Sequence, residues 1–182
     1  MLLNANVTLD GAKCQLVPYT RECVETYHSW FLEDPTLLES TCSELLSLEE
    51  EFENQLSWHT DPSKLTFLIR DRTRNDVLCG DINAFLSTFF PEDYDEEDGS
   101  SGLLAELNLM IADKESRRRG IAAEALSLFL KYVEKNIGGV KLFLAKIHTT
   151  NANSIHLFEK LGFTKFKEVA CFNEVHYVLR LA

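Results

Sequence analysis

The sequence predicts an α/β fold, a mixed sheet flanked by helices, and three observations carry that expectation. An apolar strand-like run, Leu103 to Ala112, passes through the basic turn Arg117-Arg118-Arg119-Gly120 into an amphipathic helix-like run, Ile121 to Val133. A second apolar run, Lys141 to Ile147, is followed by a short helix pattern in which Ile155, Leu157, Phe158 and Leu161 form one apolar stripe. Two further strand-like runs, about 163–170 and 172–181, close the chain. With 182 residues, no internal repeat and no linker, this order fits one domain over residues 1–182, large enough to bury its own core.

The elements follow in order. Residues 13–19 suit a first strand, and 21–32 a helix carrying Tyr27, His28 and Trp30. Ser47 with Glu50 three residues later is a capping box, opening a helix that ends near Trp58. Lys64 to Arg70 and Val77 to Leu86 read as strands joined by the polar turn Asp71 to Asp76. Residues 88–102 read as a long acidic loop. After the strand 103–112 and the helix 120–135, Gly138-Gly139 breaks the chain before the strand 141–147. Asn151 and Asn153 suit the N-terminal cap of a helix over 153–161, and Gly162 suits the left-handed position past its end.

Composition sets limits. Five cysteines, at 14, 23, 42, 79 and 171, form no CxxC or zinc-type spacing, so no metal site is expected. An odd count without a signal peptide reads as reduced thiols in the cytosol, with the nucleus as the alternative. No stretch approaches the roughly eighteen unbroken apolar residues of a membrane span. A formal net charge of −11 argues against nucleic acid, whose binding needs a basic footprint, and suits a cationic or amine-bearing partner.

The turn into the helix at Ile121 has the makings of an anion site. The first N–H groups of a helix lack intrahelical acceptors and lie at the positive end of its dipole. Gly120 lets an anion approach the main chain, Ala122 hardly blocks it, and Arg117, Arg118 and Arg119 add permanent charge. The same three arginines also fit a solvated surface or a short basic targeting run. The spacing matches neither GxxxxGK[ST] nor GxGxxG.

Taken together, R-x-x-G-x-A after a strand and Asn151-x-x-Ser154-Ile-x-Leu-Phe-Glu-Lys-Leu-Gly162-Phe163 some thirty residues on resemble the Gcn5-related N-acetyltransferase (GNAT) superfamily. The similarity extends over nearly the whole chain, through Leu16-Val17-Pro18-Tyr19, Tyr27-His28-x-Trp30, the stretch from Ser47 to Trp58, Lys64 to Ile69 and Gly80-Asp81-Ile82-Asn83. These segments are similar to the N-acetyltransferase 9-like branch. The resemblance implies one GNAT-like domain with a mixed, mostly antiparallel sheet. It implies acetyl-CoA as acyl donor and free CoA as product. The first motif, Arg117 to Ala122 with Ile121, would hold the pyrophosphate. The second, with Asn151, Ser154 and Phe158, would border the pantetheine and thiol. The pantetheine would run beside Met110, Ile111 and Ala112, bonding main-chain groups of Met110 and Ala112.

The implied chemistry is transfer of an acetyl group from a thioester to a neutral amine. An α-amine with a pKa of about 7.8 is roughly a quarter neutral near pH 7.4, whereas a lysine near 10.4 is neutral about once in a thousand. Glu106 on the strand before the basic turn is the first candidate base, with an edge or surface glutamate as the plain alternative. His28, His148 and His176 are weaker candidates, and Asp81 and Asn83 suit either hydrogen bonding to the acceptor or a strand bend. Many superfamily members carry tyrosine where this chain has Phe158, which cannot protonate a thiolate. Ser154, on the same helix face, and Tyr177 are the substitutes.

Residues 33–53 contain eight carboxylates and no Lys or Arg, and residues 92–98 add six more. They fit a solvated surface, or an entrance that concentrates a cationic acceptor. Three functions stay open: acetylation of a protein or peptide amine, with N-termini and tubulin implied by the branch; acetylation of polyamines or other small amines; and a catalytically weak acyl-CoA-binding regulatory domain.

Overall fold

In the computed structural model the sheet is built from strands whose side chains are apolar on one or both faces. It describes residues 2–41, 43–90, 93–94 and 101–181. In chain order these residues form β1 (Leu9–Asp10), β2 (Cys14–Pro18), α1 (Val24–Glu33), α2 (Thr36–Thr41), α3 (Leu48–Thr60), β3 (Lys64–Asp71), β4 (Val77–Phe89) and β5 (Gly102–Ile111). There follow α4 (Ile121–Asn136), β6 (Val140–His148), α5 (Ala152–Lys160), β7 (Thr164–Val169) and β8 (Glu174–Arg180). This is the mixed α/β architecture expected. Pairing is antiparallel between β1 and β2, β2 and β3, β6 and β8, and β7 and β8, and parallel between β5 and β6.

The chain divides into two compact units, one of residues 1–83 with 109–128, the other of residues 84–108 with 129–182. The first contains β1 to β3 with the start of β4 and the end of β5, in spatial order of their numbers. Its β3 is buried along almost its whole length, so it reads as a central strand with both faces covered. On one face Tyr19, Tyr27, Trp30 and Phe31 pack with Val17, Leu68 and Met110, and Trp58 of α3 lies against them. The capping box forms as read: Glu50 N–H meets the Ser47 hydroxyl, and Ser47 N–H meets the Glu50 carboxylate at 2.8 Å. Gly80 is required by packing, because a Cβ there would overlap the Met110 carbonyl oxygen of the neighbouring strand.

The second unit orders its strands β4-β5-β6-β8-β7. Phe89, Leu104, Leu142, Leu144 and Val178 form its core on one face, with Tyr94 and Phe166 packed against them. The parallel pairing of β5 with β6 runs from Leu103↔Val140 to Leu107↔Ala145, while β5 itself continues to Ile111.

Three elements differ from the sequence expectation, the two-residue β1 ahead of the expected first strand among them. The strand starting at Val77 runs to Phe89 rather than Leu86, because Phe89 is buried in the second core. The helix α2 was not foreseen. Its six residues are too few to show a period, and Leu37, buried in the first core, holds it in place. Of the acidic stretch 92–98, all but Asp93 and Tyr94 lie outside the described residues, as does Cys42.

Candidate active site

In the first unit, β5 leads through a short 3-10 turn, Lys114–Ser116, into the basic stretch and then α4. Two residues there adopt left-handed backbone, Arg118 at φ 63° and Gly120 at φ 82°. The Glu124 N–H bonds the Gly120 carbonyl and closes the first helical turn. The N–H groups of Ile121, Ala122 and Ala123 are left without intrahelical acceptors and point out of the helix start. The Ile121 side chain is itself core, 1 % exposed. Only its main chain faces the turn.

The three arginines have different employment. Arg117 turns back on its own strand, donating to the carbonyls of Ile111 at 2.8 Å and Ala112 at 2.9 Å, and it meets Asp34 at 3.5 Å. The Ala112 carbonyl, one of the main-chain groups of the strand end expected beside a pantetheine, thus accepts a bond from Arg117. Arg119 donates to the Thr73 hydroxyl at 2.9 Å and faces the buried Asp71 carboxylate at 3.8 Å. Asp71 also accepts from Ser116 Oγ and from Thr73. Arg74 pairs with Asp113 and Glu115, bracing the same turn. Arg118 is exposed and, among the described residues, its guanidinium has no ion pair.

Two residues that the sequence reading passed over complete the turn. Lys13 places its Nζ 3.2 Å from the Arg119 carbonyl, and a Cβ built on Gly120 would lie 2.8 Å from that Nζ. Glu124, one turn into α4, accepts from the backbone N–H groups of Ala12, Lys13 and Cys14 at 3.0, 2.7 and 2.8 Å. Burial alone would raise its carboxyl, but the bonds from Lys13 and Cys14 outweigh that and hold it below the ordinary glutamate range. Burial, and after it the same carboxylate, push the Cys14 thiol up, so that thiol stays protonated. A glutamate in the first turn of a helix is favourable anyway. Its partners lie 110 to 112 residues away in sequence and could not be read from it.

The second unit carries Asn151, Ser154 and Phe158. The Asn151 side chain caps α5 by accepting from Ser154 N–H at 3.1 Å. Phe158 is buried and packs edge-on against Phe163, ring centres 5.0 Å apart. Ser154 is half-buried one turn earlier on the same face. Tyr177 donates its hydroxyl to Glu159 at 2.8 Å, and burial together with that carboxylate raises its pKa. A phenol already bonded to a carboxylate is a weak proton donor to anything else. Glu106 forms an ion pair with Lys146 at 2.8 Å. Of the histidines, His148 is exposed and bonded to Thr150, whereas His176 is buried.

Asp81 and Asn83 lie side by side on β4 in the first unit, with Asn83 Nδ2 donating to Asp81 at 2.8 Å. Burial raises Asp81 to about 6, against the opposing pull of Asn83 and Lys64. Burial lowers Lys64 to about 8, and its Nζ sits 3.4 Å above the Trp58 ring. An acid whose folded pKa exceeds its unfolded value binds a proton on folding, so its charge costs stability as pH rises from about 4 to about 6. Relative to the parent, Asp81→Asn should therefore gain roughly 2 kcal/mol between pH 4 and pH 7. Urea unfolding of both proteins at the two pH values measures this, and a pH-independent difference would contradict it.

Among the described residues, no helix is long and apolar enough to cross a membrane, and no group of three or more His, Cys, Asp or Glu could hold a metal ion. Residues 14–164 match the family model of the acetyltransferase (GNAT) domain. A Caenorhabditis briggsae protein named N-acetyltransferase 9-like is 41 % identical over 179 residues, covering 96 % of this chain and 86 % of its own. A Drosophila melanogaster alpha/beta-tubulin-N-acetyltransferase 9 is 39 % identical over 184 residues, covering 96 % and 87 %. The fold is similar to a solved ribosomal L7/L12 alpha-N-protein acetyltransferase in complex with coenzyme A. That likeness has a TM-score of 0.76 at 14 % identity and covers 96 % of this chain and 98 % of that one.

Proposed function

We propose, from the premise that this chain belongs to the acetyltransferase (GNAT) domain family, that residues 1–182 act as one acetyl-CoA-dependent N-acetyltransferase for protein N-termini. The observation that carries the reading is the left-handed turn at Gly120. It leaves three N–H groups of α4 without intrahelical acceptors, beside the cations of Arg118 and Lys13. A pyrophosphate supplies the acceptors those groups lack, and a Cβ would intrude on the cradle. Arg117 and Arg119 shape the turn through Ile111, Ala112, Thr73 and Asp71, and act on the anion through their field alone. Asn151 and Ser154 at the start of α5 would border the thiol end, with the Ser154 hydroxyl as its hydrogen-bond donor rather than Tyr177, whose proton is given to Glu159. Bound acetyl-CoA supplies an activated acetyl group. The chain supplies orientation, which in such transfers accounts for much of the rate.

The N-terminal preference rests on the names of the relatives, one of them a tubulin N-acetyltransferase, and on chemistry. An α-amine needs little help to shed its proton, which suits a site whose first carboxylate, Glu106, is engaged with Lys146. The acids foreseen as a trap for polyamines are partly committed elsewhere: Asp34 to Lys114 and Arg117, Glu50 to its cap. The cytosol is the compartment we assign.

Acetyl-CoA at about a hundred times its Kd should stabilise the protein by about 2.7 kcal/mol, a rise of several degrees in Tm. CoA release should then be measured with peptides of the α- and β-tubulin N-termini, their Nα-acetylated forms, lysine peptides with blocked N-termini, and spermidine. Turnover is expected with the free α-amines. Turnover with spermidine alone would select the small-amine reading. An unmoved melt would reject the cofactor assignment.

A further inference from the structure

The helical layer of the first unit carries all of the chain's excess charge. Between Arg21 and Lys64, the stretch that forms α1, α2 and α3, the sequence has eleven carboxylates and no Lys or Arg. Elsewhere eighteen carboxylates balance the eighteen Lys and Arg, so the formal charge of −11 belongs to this one segment. Some of these acids are spent inside the fold. Asp34 meets Lys114 and Arg117, Glu50 caps α3, and Glu51 is buried. Glu49 and Glu53 are exposed on α3 and, among the described residues, form no ion pair.

The helix α3 is inverted. Its buried residues are polar, Glu51 and Gln55, and Gln55 Nε2 donates to the Tyr19 carbonyl at 3.0 Å. Trp58 and one side of Phe52 hold the helix to the core. Its leucines face water instead, Leu48 at 39 % and Leu56 at 59 % exposure. Residues four apart share a helix face, so Leu48, half-buried Phe52 and Leu56 form one stripe, with Glu49 and Glu53 as the row beside it. Leu45, just ahead of α3, is exposed as well. A lone exposed leucine is ordinary, but a helix that turns its leucines outward and its amide and carboxylate inward leaves an apolar face unpartnered. At its far end the stripe borders a cleft of about 400 Å³, lined by Leu56 and His59 of α3, Pro18 and Arg21 at the corner from β2 to α1, and Asn4. The Arg21 guanidinium lies 4.3 Å from the Phe52 ring centre and, among the described residues, is the only Lys or Arg lining this cleft.

We propose that this stripe and cleft dock a basic amphipathic helix belonging to another protein. Its apolar anchors cover Leu48, Phe52 and Leu56, and its Lys and Arg side chains meet Glu49 and Glu53. The stripe from Leu48 to Leu56 runs about 12 Å along the helix axis, a little over two turns of such a partner. The excess charge steers the partner in from beyond contact, and the leucines hold it once there. Charge decides against the other occupants. A second copy of this chain would bring the same acids against themselves, and an anionic lipid surface or a nucleic acid would meet the same repulsion. A small polyamine would pair with the carboxylates but leave the leucines bare. Docking here does not depend on the acetyltransferase reading, and no residue of the Gly120 turn takes part in it.

The probe is a fluorescent peptide helix of about 18 residues, leucine along one face and lysine on the rest. Its controls are the same residues in scrambled order and a version with glutamate for lysine. By anisotropy at physiological salt, the parent should bind the Leu/Lys helix, bind the scrambled peptide at least about tenfold more weakly, and ignore the glutamate version. Leu48→Ser/Leu56→Ser should lose at least about tenfold in affinity, since two leucyl contacts go. Its Tm should be unchanged, because both side chains already face water. Glu49→Lys/Glu53→Lys should lose as much and take up the glutamate version instead. Glu134→Lys/Glu168→Lys, which removes two exposed acids from the second unit, should bind like the parent. On adding the Leu/Lys helix, amide hydrogen exchange should slow along α3 and the corner at residues 18–22 only. No binding by the parent, equal binding of ordered and scrambled peptides, or equal losses in the two charge variants overturns the docking surface. Parental affinity in folded Leu48→Ser/Leu56→Ser overturns it too. If that double variant misfolds, Leu56→Ser alone and the exchange pattern decide, and protection elsewhere than α3 and the corner counts against the surface. The acetyl-CoA-induced rise in Tm should persist in every variant, so a failure here is separable from a failure of the cofactor assignment.

Discussion

Gly120→Trp is expected to raise the Kd for acetyl-CoA at least a hundredfold in a chain that still folds. At φ 82° the residue sits where a side chain is strained, so any substitution costs on the order of 1–2 kcal/mol. That penalty alone leaves a protein of this size folded. What meets the new Cβ is the Nζ of Lys13 at 2.8 Å, the far end of a flexible chain that can swing away. The indole then fills the space in front of the first N–H groups of α4 and displaces one of the two least committed cations at the turn. A hundredfold loss corresponds to about 2.7 kcal/mol, less than the sum of a few charge-assisted hydrogen bonds. Calorimetric titration of parent, Gly120→Ala and Gly120→Trp should show a graded loss. Near-parental affinity in a folded Trp variant would remove the phosphate site from this turn.

Glu124→Ala should be the most destabilising surface-adjacent substitution in the first unit, costing about 3 kcal/mol. Its carboxylate collects three backbone N–H groups from the chain just before and at the start of β2. A hydrogen bond to a charged group contributes about 1.5–3 kcal/mol, and water recovers part of it for the exposed Ala12 and Lys13. For this chain length the loss amounts to roughly 6–12 °C in Tm. Glu124→Gln should recover little, since an amide offers one acceptor oxygen and puts donors against donors. Because the folded carboxyl is held below its ordinary range, its contribution is present above the unfolded pKa and lost as pH falls through the lower folded value. The gap between parent and Glu124→Ala should therefore narrow toward pH 3. Acetyl-CoA affinity should fall as well, since Lys13 is placed by the same loop. A variant as stable as the parent at pH 7 would show that the loop holds itself.

The legibility of this chain in its sequence follows from the range of the interactions involved. The capping box of α3, the cap and stripe of α5, and the strand–turn–helix at Gly120 depend on residues within about one helical turn of each other. Each was readable because a local rule fixes both residue type and spacing. The family resemblance rests on those same local patterns repeated along the chain. The helix α2 was missed because six residues carry no period, and the end of β4 because only burial of Phe89 against distant strands extends it.

Residue roles were another matter. Three adjacent arginines look alike in sequence, yet Arg117 is turned onto Ile111 and Ala112, Arg119 onto Thr73 and Asp71, and Arg118 faces solvent. Glu106 and Tyr177 could be proposed as base and acid from their strands, but their partners, Lys146 and Glu159, come from other elements. His176 looked like any lone histidine until β6 and β7 set lysines across from it and left its Nδ1 unpaired.

Alone, then, the sequence determined the order and kind of most elements, the basic turn between β5 and α4 and the family, because helix and strand periods, caps and glycine conformations are properties of neighbouring residues. Tertiary structure alone decided which charged groups are spent on one another and which remain for a ligand. Lys13 came to the Gly120 turn, Glu124 to the loop before β2, and Lys146 to Glu106 through contacts between residues 40 to 112 positions apart. The free energy of an ionisable group is set by its burial and its nearest charges, and neither is defined until the strands have paired.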